Sequence, residues 1–349
     1  MRIKTVKLKL RREHLERLMI GGAAALVLFL AARGSQVPMV EVPYPETTEE
    51  VNTIAQTQTP TQRTTIFYKD GNGYLVPVTM EVPQQEGIAK ATLSLLTSSP
   101  VNDIEAASLG LLTVAPAGTT YELDIADGRA RVNLSAEALN TADAAAEAAM
   151  VDAIVQTLTS FDTVETVEFL IDGQTRETLT HGTPVSGSFT GGSVNLESVD
   201  ASASLSGAET VTLYFPDEGG RLLVPVTRTV WGEADLGTAV FELLKGPKED
   251  SGLERALPED CALIDVSVKD GAAVINLSKE FEQVLSQSDG GKRALRAMML
   301  TCTRFPGVER VEILLEGQPY TVEGMESKPT FVNSATEIEA WFPGVMEFE

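Results

Sequence analysis

The chain says the same thing twice. Leu75-Val76-Pro77-Val78-Thr79 returns as Leu223-Val224-Pro225-Val226-Thr227, and Asp127-Gly128 followed by RARVNLSAE returns as Asp270-Gly271 followed by AAVINLSKE. The stretch VETVEFLIDGQ from Val164 returns as VERVEILLEGQ from Val308, and Val194-Asn195 and Val332-Asn333 close the two copies. The offset between equivalent positions drifts only from 148 at Leu75/Leu223 to 138 at Val194/Val332. A repeat this long, with loop differences this small, calls for two domains of one fold, each with its own core. The first spans 64–195 and the second 210–333. The join between them, 196–209 (LESVDASASLSGAE), is small, polar and free of proline, which suits a flexible linker.

Each copy reads as ββαββαβ. A strand meets a Gly-rich turn (DGNG or DEGG), and a second strand carries LVPVT. The first helix has apolar positions Ile88, Ala91, Thr92, Leu95 and Leu96 in copy one. Copy two offers Leu236, Ala239, Val240, Leu243 and Leu244 at the same i, i+3, i+4, i+7, i+8 spacing. An Asp-Gly hairpin follows. A second helix buries Met150, Ala153, Ile154, Thr157, Leu158 and Phe161, or Ala294, Ala297, Met298, Thr301, Cys302 and Phe305. One apolar stripe per helix predicts a single mixed sheet with both helices on one face. The fold class is α+β, two tandem two-layer sandwiches. Pro77 and Pro225 lack an N–H, so their strand belongs at a sheet edge or bulge, unless each is a turn residue before a shorter strand.

Ahead of the repeats the chain changes character. Residues 1–17 form a basic arm, and 18–33 hold the uncharged run LMIGGAAALVLFLAA ending at Arg33. This order fits a transmembrane signal anchor, with a cleaved secretory signal as the alternative. No cysteine follows the run to take a lipid. The positive flank predicts an N-terminus in the cytoplasm and a body outside. Residues 34–63, with four prolines and many Thr and Gln, read as a tether reaching about 30 Å. A tail at 334–349 holds Trp341, Phe342 and Phe348 among acids.

Charge narrows the function. The whole chain carries −23, and beyond position 33 it holds 19 basic and 48 acidic residues. Such a body is repelled by polyanions, so nucleic acid is not an expected partner. With two histidines and two cysteines, neither a disulfide scaffold nor a common zinc site fits. His181, beside Gly182 and Pro184, reads as a surface loop residue. Cys302 aligns with Leu158 and reads as a core side chain. Apolar alternation through Ala262, Ile264, Val266 and Val268 places Cys261 off the core face. The acidic pairs Asp124/Asp127, Glu165/Glu168 and Glu309/Glu312 read as solvent-facing positions, with nothing to split their proton affinities as a hydrolase needs. A calcium loop at 70–73 fails because Tyr74 stands where an oxygen ligand belongs. No catalytic, cofactor-binding or metal-binding residue is assigned, and no partner-binding residue is singled out.

The repeated motifs resemble the GerM domain of sporulation and spore-germination proteins. The resemblance runs through Phe67-Tyr68 and Tyr214-Phe215, LVPVT, Leu243 to Pro247 (LLKGP), Ala256 to Pro258 and V-x-N-L-S. It continues through Thr157 to Phe161 and the V-x-x-V…DGQ ending. Copy one departs where LLTSSPVND replaces LLKGP, and copy two where T-C-T-R-F replaces T-L-T-x-F. The resemblance implies a ring-building-motif-like fold and a non-enzymatic assembly or localisation factor. It would sit in the membrane by a single pass, with its body facing the forespore intermembrane space. Its partners would be extracytoplasmic proteins of the channel complex joining mother cell and forespore; some relatives form rings. The alternative is an envelope module that binds peptidoglycan beside a germination hydrolase, for which Trp231 and Trp341 are isolated aromatics.

Overall fold

The computed structural model describes residues 60–85, 87–199, 204–286, 289–321 and 332–334. The basic arm, the apolar run at 18–33, the tether up to 59 and the tail beyond 334 lie outside the described residues. Among the described residues, no helix is long and apolar enough to cross a membrane.

Copy one runs β1 (Thr61–Lys69), β2 (Leu75–Pro83), α1 (Ile88–Ser94), α2 (Pro100–Ser108), β3 (Tyr121–Ala126) and β4 (Arg129–Leu134). It ends with α3 (Ala144–Thr159), β5 (Thr166–Ile171) and β6 (Phe189–Thr190). Copy two runs β7 (Ala208–Pro216), β8 (Leu223–Trp231), α4 (Leu236–Lys245), β9 (Leu263–Lys269) and β10 (Ala272–Leu277). It ends with α5 (Gly290–Cys302), β11 (Arg310–Leu315) and β12 (Gln318–Tyr320). A 3-10 turn precedes each long helix, at Ala136–Leu139 and Lys279–Ser286.

The single-sheet expectation is corrected. Each copy splits its strands into a two-stranded hairpin and a four-stranded mixed sheet, β3-β4-β5-β6 or β9-β10-β11-β12. Both hairpin edges are already engaged. On one side the Phe67 N–H donates to Thr157 Oγ1 of α3 at 3.1 Å, and the Tyr214 N–H donates to Thr301 Oγ1 of α5 at 3.2 Å. A hydroxyl on a packed helix takes the place of a neighbouring strand. On the other side Pro77 and Pro225 have no N–H for a ladder, so β2 and β8 are edge strands, their ladders running to β1 and β7 within the hairpins.

Two further readings shift. In α1 the buried positions are Ala89, Thr92 and Leu93, followed past its end by Leu96 and Thr97, one residue beyond the predicted stripe. Spacing is preserved; the true equivalence to Leu236, Ala239, Val240, Leu243 and Leu244 has an offset of 147 rather than 148. Copy one also inserts α2, which has no twin. Ser99 caps it by accepting from the Asn102 N–H at 3.2 Å, and Pro100 opens its first turn.

Each copy has its own apolar core beneath its long helix. The copy-one core, though, includes Leu222 and Val224 from the copy-two hairpin, 3% and 0% exposed. The join is also less free than its composition suggests. Leu196 forms a parallel bridge with Thr227, and the Glu197 N–H donates to Thr227 O at 2.9 Å.

Candidate functional surface

The acidic residues of the turns and strands take structural posts. Asp127 and Asp270 sit in left-handed backbone at the tips of their Asp-Gly turns, with φ of 52° and 49°. Glu168 pairs with Arg129 and Arg131 at 3.7 and 3.5 Å on the sheet surface, and Glu312 pairs with Arg310 at 3.2 Å. Asp70 closes its own turn, its Oδ1 accepting from the N–H groups of Asn72 and Tyr74. Its carboxyl is raised above the ordinary value, chiefly by burial, with the Asp217 charge adding to the effect. Among the described residues no three His, Cys, Asp or Glu side chains stand close enough to hold a metal ion.

His181 is exposed on its loop, and its ring Nε2 lies 3.0 Å from Thr141 O. Its main chain leads to a residue that pattern reasoning missed. Glu147, in the first turn of α3, is fully buried and accepts from the N–H groups of His181 and Thr183 at 2.9–3.0 Å. Burial alone would raise its pKa; those N–H donors outweigh it and hold the carboxyl below its ordinary value. Glu147 therefore fastens the 178–185 loop to α3, and nothing in its helical spacing announces that.

Cys261 is corrected as well. Leu263 faces Leu277 and Asp265 faces Asn276, so a β-bulge at Ile264 flips the alternation. Cys261 turns into the core and Ile264 out. Both thiols are free, and burial pushes Cys261 up to about 11 and Cys302 to about 12. At neutral pH these are unreactive thiols.

Arg228 occupies the place of Met80 in copy one, and no pattern in the repeat points to it. It is 9% exposed, bidentate to Glu197 at 2.8 and 2.9 Å, and bonded to Glu242 at 3.3 Å and to Gly246 O at 3.0 Å. Burial works against its charge, and the two carboxylates outweigh burial, so the guanidinium stays protonated. Glu197 belongs to the join, so this buried pair ties the start of the join to copy two.

The most developed polar constellation lies on the seam between copies. Asn195 Oδ1 accepts from the Leu75 N–H at 2.8 Å, while its Nδ2 donates to Leu75 O at 2.8 Å and to Pro225 O at 2.7 Å. Asn333 repeats this on Leu223 N–H and O at 2.8 and 2.9 Å, and reaches Pro77 O at 2.8 Å. Each asparagine thus grips the LVPVT strand of its own copy and the proline carbonyl of the other. Both adopt left-handed backbone, φ 52° and 45°, which asparagine tolerates better than most residues. The threonines follow suit. Thr227 Oγ1 donates to Val194 O at 2.8 Å and Thr79 Oγ1 to Val332 O at 2.9 Å. The paired clamps give the seam local two-fold pseudo-symmetry. Gly252 lets copy one approach closely: a Cβ there would stand 2.8 Å from the Asn72 amide, and φ is +71°.

Comparison with known proteins agrees with this architecture. The family model Germane, described as sporulation and spore germination, matches residues 65–177 and 212–321. The spore germination protein GerM of Bacillus subtilis (strain 168) is 29% identical over 279 residues, covering 76% of this chain and 74% of the relative. A solved structure of the tandem GerMN domains of the Bacillus subtilis sporulation protein GerM superposes with a TM-score of 0.67 at 30% identity. It covers 79% of this chain and 99% of that one. On the family match to both repeats, this chain belongs to the Germane family of sporulation and spore-germination proteins.

Proposed function

We propose that the chain is a non-enzymatic assembly or localisation factor of sporulation, working through protein–protein contacts. The observation that carries this reading is where the polar residues go. The buried carboxylate Glu147, the buried Arg228 and the asparagine clamps all spend their polar atoms on holding loops, the join and the seam. The family match supplies the sporulation context.

In this reading residues 18–33 hold the protein in the membrane by one pass, with the N-terminus in the cytoplasm. The acidic body then works in the intermembrane space of the forespore, against extracytoplasmic proteins of the channel complex. A surface this negative favours basic partners and fast, salt-sensitive association.

Deleting the gene should impair spore formation and mislocalise channel proteins. Proximity labelling from the body during sporulation should return those proteins. Normal spores with unchanged channel localisation would reject the reading, and retention on purified peptidoglycan would favour the envelope-module alternative.

A further inference from the structure

We infer that the seam is a self-sufficient recognition interface whose partner is another repeat of the same pattern, whether in this chain or in a second copy of it. The seam contacts come in equivalent pairs: Asn195 with Asn333, Thr79 with Thr227, Val194 with Val332, and the carbonyls of Pro77 and Pro225. Leu222 and Val224 of copy two join the copy-one core, to which their own repeat equivalents Tyr74 and Val76 also belong.

An interface in which residue i meets j and j meets i is the kind that joins identical chains in two-fold dimers. Here it joins two halves of one chain. The join therefore supplies proximity, and only its first residues add contacts to copy two. Those contacts, Glu197 with Arg228 and Leu196 with Thr227, lie ahead of residues 200–203 and survive a cut there as contacts between halves.

Two consequences follow. The halves remain together when the chain is severed between Val199 and Ser204. When seams are opened, a half of one chain pairs with the opposite half of another, giving closed pairs and no open fibre.

The test replaces residues 200–203 of the full chain with a protease recognition sequence, cuts it, and measures mass by light scattering. One species with the mass of the intact chain is expected at micromolar concentration. Unfolding isotopically light and heavy cut samples together in urea, then refolding them, should give mixed light–heavy pairs in statistical proportion by native mass spectrometry. Asn195→Ala combined with Asn333→Ala should weaken association of the cut halves at least tenfold, roughly one unsatisfied buried hydrogen bond or more. Asn195→Ala alone should give an intermediate loss, which keeps the test informative where the double variant does not fold. Halves that separate after cutting, or refolded samples without mixed pairs, would overturn the inference.

Discussion

The side-chain amide of Asn333 donates to the carbonyl oxygen of Pro77 at 2.8 Å, across 256 positions of sequence. The carbonyl belongs to a strand whose proline has no N–H to offer, so its edge is half-closed to a sheet neighbour and open to an amide donor. Asn195 makes the same bond to Pro225 at 2.7 Å. One proline and one asparagine per repeat thus turn a sheet edge into a lock.

Asn333→Ala removes all three of the Asn333 bonds and leaves a buried N–H and two buried carbonyls without their partner. Stability should fall by about 2–4 kcal/mol. Urea unfolding of the full chain followed by circular dichroism measures it, and a loss under about 0.5 kcal/mol would show that the seam does not depend on the clamp.

Arg228→Met, which writes the copy-one residue into copy two, takes the guanidinium from the nearly buried Glu197 and Glu242 and leaves them the half-exposed Lys248 at 3.9 Å and Lys245 at 2.6 Å. The expected cost is about 3–5 kcal/mol. Adding Glu197→Gln should recover part of it, because the carboxylate left facing burial is then neutral. Denaturation midpoints of the single and double variants give the coupling directly.

Glu147 should make the fold acid-sensitive. Its carboxyl lies below the ordinary 4.5 when folded, so its contribution is fully present above that value and is lost as pH falls through the lower folded one. Glu147→Gln should therefore lower the melting temperature at pH 7 and converge on the parent as pH approaches 3. Parallel melting curves at constant ionic strength would contradict the assignment.

Thr157→Val and Thr301→Val keep the shape of the side chain and delete the acceptor for the Phe67 or Tyr214 N–H. Each should cost about 1–2 kcal/mol, the two nearly additive because they lie in separate cores. Hydrogen exchange at Phe67 and Tyr214 should quicken in the corresponding variant alone.

The repeat made the domain plan readable, and the helical stripes of α3, α4 and α5 were readable because each is long enough for its period to show. The misreadings have local causes. In α1, only Ile88–Ser94 is helical, and an apolar run reading I-A-K-A-T-L-S-L-L admits two stripes one residue apart. At Cys261, a bulge changed the parity of a strand, and no residue type marks a bulge of this kind. The split sheet was hidden for a different reason. Thr157 and Thr301 looked like core positions on a stripe, and they are, but their hydroxyls also do the work of a neighbouring strand. Glu147 and Arg228 were beyond reach because their partners come from distant loops. The asparagines were visible as repeated endings, though only the folded chain shows that each serves the opposite copy.

Because each copy closes its neighbour, this architecture counts to two and stops. A third repeat appended to the chain would meet LVPVT strands already claimed at both prolines, and its own Val-Asn ending would find no taker. Repeat arrays that stack end to end always keep an open terminus and lengthen by duplication. A mutually latched couple has no such terminus, so further duplication would add whole couples rather than single units.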